Sequence, residues 1–424
     1  MLGMGWTGIL MVHVVLVSGW QTVNIGDVAH TPGALRAFQR YAPEAKLTLW
    51  ARSIDENVRR MLGRYFPDVE IVEDRVVPGE ALSPALERLF AEGDLLVHGS
   101  GPSLVAQVEV AEWHRRTGKP HGVFGVTVDP LRPYGSTLAR AASMISAIDG
   151  DLLTEHQREV LDTAAFVYCR DSLTERFLAG QDLGAPTIAF GPDATVMFDV
   201  VDDGDGQAVL AEYGLKPGRF LCVVPRLRFT PYHQIRNYPP AAEDVRRTAY
   251  NAGYLKSDLD VLRQTVIGWV RATGEPALVV PEMSYAMELA EAEFAGTFPA
   301  DVADLVHILP RFWDLTEAAA VYRQAGAVVS MECHSPLIAL AEGVPSVYLR
   351  QPTDTIKGQM YNDLGLPFVE LGPGADVAAG QLLRKIADDR PAAAEVARQA
   401  RDGAQERVRG MVEAAIAAVG SRIR

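Results

Sequence analysis

Residues Ala327–Leu364 read AVVSMECHSPLIALAEGVPSVYLRQPTDTIKGQMYNDL. The first four, Ala327–Ser330, form an apolar β-branched run of the kind buried in a parallel sheet. Pro336 suits the first turn of a helix, and Ser335 before it suits an N-cap. The helix is expected over Leu337–Glu342, ending at Gly343. A second strand, Ser346–Leu349, leads into a polar loop holding Arg350, Asp354 and Lys357. Glu332, His334 and a helix N-terminus thus fall where one strand ends, and a guanidinium and an ammonium where the next one ends. Ligands of open α/β sheets bind at those carboxyl ends. Helix N–H groups and cations together predict an anionic ligand.

Outward from this stretch, strand and helix signals alternate, the pattern of a parallel sheet covered on both faces. Towards the N-terminus they run from strand Val12–Ser18 to strand Thr187–Phe190, with a helix from near Pro32 to Tyr41 and a loop Gly99-Ser100-Gly101-Pro102-Ser103 after strand Asp94–His98. The acidic, Gly-containing Asp199–Gly206 reads as a link. A second set starts at strand Phe220–Val224, and the tail from Val377 reads as two helices. Pro225–Tyr254, rich in Arg, Tyr and Pro, reads as a long irregular and functional segment. The expected fold class is α/β: two Rossmann-like domains facing across a cleft, with the C-terminal helix packing back on the first domain, a GT-B-like layout by analogy. The expected domains are 12–200, 207–390 and a C-terminal helix 391–424.

The chain has 424 residues, 48% of them hydrophobic, enough for more than one core. A net charge of −14 argues against general nucleic-acid binding. Three widely spaced cysteines, with no CxxC pair, fit a reduced compartment, so the expected location is cytoplasmic. They give no metal-ligand spacing, and no metal is expected. Gly8–Trp20 imitates a signal peptide but lacks a basic leading region, so Val12–Ser18 is read as a strand. No run reaches the roughly 18 apolar residues of a membrane span.

Four constellations carry chemistry. Asn24, Gly26 and Asp27, with His30, offer donors and acceptors suited to sugar hydroxyls or an anion; equally, Asp27 caps the helix. Gly99, Ser100 and Gly101 let backbone approach a ligand closely, or make a packing turn. Arg226 and Arg228, alternating at a strand exit, suit a bidentate anion clamp, with His233 and Arg236 beyond, or else form a solvated basic surface. Glu332, His334, Arg350 and Lys357 form the fourth set. Glu282, after another strand, is a weaker candidate, and Cys333 reads as filler.

The order of VSGWQTVNIGD, the GSG loop after LLVH, and SMECHSPLIALAEGVPSVYLR with a following Lys and LGLP resembles the polysaccharide pyruvyl transferase family over about Val12–Pro367. The resemblance implies a GT-B-like fold and transfer of the enolpyruvyl unit of phosphoenolpyruvate to a saccharide as a ketal, with phosphoenolpyruvate as co-substrate and no cofactor. It places Asn24 and Asp27 on the acceptor side with Gly26, His30, Gly99, Ser100 and Gly101. His334 and Lys357 fall on the donor side, where Arg226, Arg228, Arg350 and Ser335 are expected to hold the anion. The family shows an Arg where this chain has Glu332, so either Arg226, Arg228 or Arg350 compensates or the donor differs. His334 is the expected acid, and Asp27 or Glu332 the base. The expected partners are phosphoenolpyruvate and a saccharide, with a homodimer left open. The alternatives are a nucleotide-sugar glycosyltransferase on the same fold and a non-catalytic saccharide-binding protein.

Overall fold

The computed structural model describes residues 11–18 and 22–420. The predicted loop residues Gly19, Trp20 and Gln21 lie outside them. Seven parallel strands build the first sheet: β1 (His13–Ser18), β2 (Lys46–Ala51), β3 (Glu70–Glu73), β4 (Leu95–His98), β5 (His121–Val126), β6 (Phe166–Cys169) and β7 (Ile188–Phe190). Six build the second: β8 (Leu221–Val224), β9 (Ala277–Val279), β10 (Val306–Ile308), β11 (Ala327–Ser330), β12 (Ser346–Arg350) and β13 (Phe368–Glu370). The first sheet runs β3-β2-β1-β4-β5-β6-β7, the second β10-β9-β8-β11-β12-β13. Both therefore reverse direction once, between β1 and β4 and between β8 and β11. These are the switch points where a doubly wound sheet opens a crevice for a ligand. The strands read as unbroken apolar runs because both faces are covered: β1, β4, β5, β8, β11 and β12 are buried at every residue.

Four local expectations are corrected. The first helix spans Ile25–Tyr41 and is capped by Asn24, not Asp27, and Pro32 lies inside it rather than near its start. The Asn24 carboxamide accepts from the Gly26 and Asp27 N–H groups, so the helix can begin two residues before Asp27. The helix after β11 spans Ser335–Ala341 with His334 at the cap, because the Ser335 hydroxyl is bonded to Glu282 rather than to a helix N–H. Asp199–Gly206 is only partly a link: a helix, Asp203–Glu212, starts within it, capped by Asp202. Finally, Pro225–Tyr254 is not irregular throughout. A short helix, Tyr232–Ile235, is followed by a long one, Ala242–Thr273. Asp244 accepts from the Ala241 N–H, and Glu243 pairs with Arg246 and Arg247 one turn on. A charged, exposed helix start of this kind has no apolar stripe to betray it.

The two helices of the tail are Ala375–Asp388 and Arg390–Gly420. The last one returns to the first domain, where Gln405 Nε2 donates to the Val196 carbonyl at 3.0 Å. No helix among the described residues is long and apolar enough to cross a membrane.

Candidate functional site

The loops leaving β1, β4, β8 and β11 converge between the two sheets. The Ile25 N–H donates to the Glu282 carbonyl at 3.0 Å, and the Ser284 N–H to the Val23 carbonyl at 3.1 Å. The start of the first helix is thereby fixed to the loop after β9. Gly26 makes this approach feasible: a Cβ there would lie 2.4 Å from His334 Cβ and 2.5 Å from Glu282 Oε1.

This docking brings residues from both domains around His334. Its Nδ1 lies 3.4 Å from Glu282 Oε1 and 3.9 Å from Asp27 Oδ1, and its Nε2 lies 3.9 Å from Asp193 Oδ2. The His30 ring packs edge-on against it at 4.7 Å. His30 Nδ1 donates to Asp193 Oδ1 at 2.8 Å, and Arg170 Nη1 holds the other Asp193 oxygen at 2.8 Å. Glu282 is fixed in turn by the Ser335 N–H (2.7 Å) and hydroxyl (2.6 Å). Asp27, His30 and His334 each offer one ligand atom within 4.8 Å of the others, a grouping that the sequence spacing did not suggest.

Burial disfavours charge on both imidazoles, but their acidic neighbours outweigh it. Asp193 raises His30, while Cys333 and Glu282 hold His334 well above the usual histidine range. Burial raises Glu332 to about 8 although Arg226 beside it pulls the other way. Burial also pushes the Cys333 thiol up, but His334 and Lys357 more than reverse this and bring it to about 7.

A cavity of about 650 Å³ opens over this floor, lined by Asn24, Asp27, Arg226, Glu332, His334 and Lys357 among others. A second cavity of about 340 Å³ lies against it and shares Asp27. Its wall includes His30, Ser100 and Gly101 from the first domain, and Tyr232, Arg236 and Tyr238 from the segment after β8.

The predicted cations divide. Lys357 lines the larger cavity and makes no hydrogen bond or ion pair among the described residues. Arg226 lines it too, but pairs with Asp354 and with Glu332 (3.1 Å). The predicted anion clamp is not assembled. Arg228 forms a two-pronged pair with Asp258 at 2.6 and 2.9 Å and stacks on Tyr254. Arg350 is buried and donates to the carbonyls of Ser136 and Asp354. Ser335 is fully buried against Glu282 and Tyr322 and lines neither cavity. Ser100 uses its hydroxyl within the fold, donating to the Phe124 carbonyl and accepting from the Ala194 N–H. Gly99 packs on the Val17 carbonyl and does not line either cavity.

Sequence reasoning missed Asp193 and Arg170 and ranked Glu282 too low. Asp193 did have a signal, since Gly191-Pro192-Asp193 follows β7 directly. Arg170 had none beyond its place at the end of β6.

Comparison with known proteins fits this geometry. The profile of a family described as polysaccharide pyruvyl transferase matches residues 24–351. No sequence among the curated proteins matches the chain. Among solved structures, the chain is similar to Anabaena HepE in complex with UDP and glucose, with 13% identity, a TM-score of 0.55, and coverage of 97% of this chain and 100% of that one. It is also similar to UDP-GlcNAc 2-epimerase from Neisseria meningitidis bound to UDP-GlcNAc (7%, TM-score 0.54, 92% and 94%). A third is a ugt transferase from Siraitia grosvenorii in complex with UDP (10%, TM-score 0.51, 96% and 100%). At these identities the likeness shows the fold alone, two Rossmann-like domains in the GT-B arrangement.

Proposed function

The chain belongs to the polysaccharide pyruvyl transferase family and is a transferase, and from that premise we propose that it moves the pyruvyl unit of phosphoenolpyruvate onto two hydroxyls of a saccharide as a ketal, without a cofactor. The observation that carries this reading is the meeting of Asp27 and His334, from different domains, 3.9 Å apart on the floor of a cleft that also holds Lys357.

The chemistry asks for an acid, a base and a cation. Protonation of the methylene carbon makes C2 electrophilic; one sugar hydroxyl adds there, phosphate leaves from C2, and a second hydroxyl closes the ketal. Of the two hydroxyl protons, one balances the new methyl group and the other the departing phosphate, so no redox partner is needed. His334, held protonated by its acidic surroundings, is the acid, which contributes roughly 10²–10⁴-fold in such roles. Asp27 faces both cavities and is the base that takes the hydroxyl proton. Lys357 holds the donor anion, and Arg226 supports it once Glu332 gives way or is protonated. The smaller cavity, with Ser100, Gly101 and His30, is the acceptor side.

Calorimetric titration of phosphoenolpyruvate tests the reading, with UDP as the control ligand. Wild type should bind phosphoenolpyruvate, and Lys357→Ala should weaken that binding by at least about tenfold, the loss of one charged contact. Binding of UDP but not of phosphoenolpyruvate would overturn it in favour of nucleotide-sugar transfer.

A further inference from the structure

We propose that Asp27, His30, His334 and Glu282 bind one divalent transition-metal ion of the Zn²⁺ class, and that this ion, when present, blocks the transfer reaction. The blocking part rests on the function proposed above; the site itself does not.

The ligand atoms face one another. Asp27 Oδ1 lies 3.8 Å from His30 Nε2 and 3.9 Å from His334 Nδ1, and Glu282 Oε1 lies 3.4 Å from His334 Nδ1. Metal bonds of about 2.0–2.2 Å place tetrahedral ligands ~3.4 Å apart; the Asp27, His30 and His334 ligand atoms all lie within 4.8 Å of one another, and Glu282 joins them through its place beside His334, so binding draws the four together. Among the described residues, the buried His30 Nε2 and Glu282 Oε1 have charged neighbours but no hydrogen-bond partner. Leaving such atoms unmatched is costly, and a cation between them would remove that cost.

The surroundings are those of a built site. His30 Nδ1 is tied to Asp193, which Arg170 anchors, so Nε2 faces Asp27 and becomes the ligand atom when the ion displaces its proton. A carboxylate behind a ligating imidazole fixes the ring and strengthens it as a ligand. Glu282 is fixed by both groups of Ser335, which leaves Oε1 aimed inward. Three carboxylates, Asp27, Asp193 and Glu282, surround the rings, and Arg170 is bonded to Asp193. Two imidazoles with carboxylates favour Zn²⁺, Co²⁺ or Ni²⁺ over Mg²⁺ or Ca²⁺. Asp27 and His334 line the open cleft, which gives the ion an entry path. An ion held there occupies the atoms that the transfer uses as acid and base.

The test is Co²⁺ titration of the full chain after chelator treatment, followed by the visible bands of four-coordinate cobalt. One Co²⁺ per chain should bind and be displaced by Zn²⁺. His30→Ala and Glu282→Gln should weaken binding by at least about tenfold, while His156→Ala, an exposed histidine, should not. Melting curves confirm that each variant is folded; if His30→Ala is not, Asp27→Asn takes its place. Absence of saturable bands in wild type, or bands of equal affinity in the folded ligand variants, would overturn the site. With a mixture of simple glycosides supplied as acceptors, phosphate release from phosphoenolpyruvate by metal-free protein should fall when one equivalent of Zn²⁺ is added, and unchanged release with the site occupied would overturn the blocking role. No release at all by metal-free protein counts against the transfer reading, and the cobalt spectrum still decides the site.

Discussion

Gly26 is where the two domains come closest to the chemistry. A methyl group there would press on His334 and Glu282 at once, and neither can retreat, since both are buried and Glu282 is bonded twice to Ser335. Gly26→Ala should lower transfer at least about tenfold and reduce stability by about 1–3 kcal/mol, the usual cost of overpacking, as read by turnover and urea unfolding. His98 carries a different kind of prediction. Its Nδ1 donates to the Gly99 carbonyl at 2.7 Å and its Nε2 accepts from the Ala106 N–H at 3.1 Å, so the fold uses the neutral ring. Burial lowers its pKa to about 4. The unfolded chain therefore takes up a proton first as pH falls: stability is complete above about 6.5 and is lost down to about 4. The loss at this site is up to about 3 kcal/mol, and thermal melts of His98→Gln should show a shallower acid limb than wild type.

The first helix and the long helix after β8 show how elements set the site. Asn24 caps the former and so fixes the rotation that aims Asp27 and His30, one turn apart, at His334. Asn24→Ala should cost about 1 kcal/mol, the usual worth of a cap, with a larger loss in turnover than in stability because the Asp27 carboxylate, the proposed base, shifts with the turn. The latter helix, Ala242–Thr273, is tied to the strand exit by Arg228 and Asp258 and by aromatic packing around Arg228. Asp258→Ala should destabilise by about 1.5–3 kcal/mol, the range for charged hydrogen bonds, and speed amide exchange over residues 242–257. The strands were legible because doubly buried strands are continuous apolar runs. The start of this helix was not, because its stability lies in charge pairs and in contacts with residues far along the chain.

At the scale of the molecule, the helix Arg390–Gly420 straps one domain to the other. Arg390 pairs with Glu275 of the second domain at 2.6 Å, while Val408, Met411 and Val412 are buried in the shared core. Met411→Ala should lower stability by about 2–5 kcal/mol in urea unfolding. The chain's local patterns were enough for the alternation of strands and helices, for the two-domain parallel fold, and for putting His334, Asp27 and Lys357 near the ends of strands. Those follow from local patterns: apolar runs, helix starts and charged residues at strand ends. Which cations remain for a ligand depended on tertiary contacts. These took Arg228 and Arg350 away by giving them Asp258 and backbone carbonyls, and set Glu332 against Arg226. They also gathered Asp193, Glu282 and the two histidines around one point. Partners such as Asp27 and His334 are some three hundred positions apart in sequence. Their meeting depends on how two sheets dock across a cleft, a property of packed surfaces that no local pattern encodes.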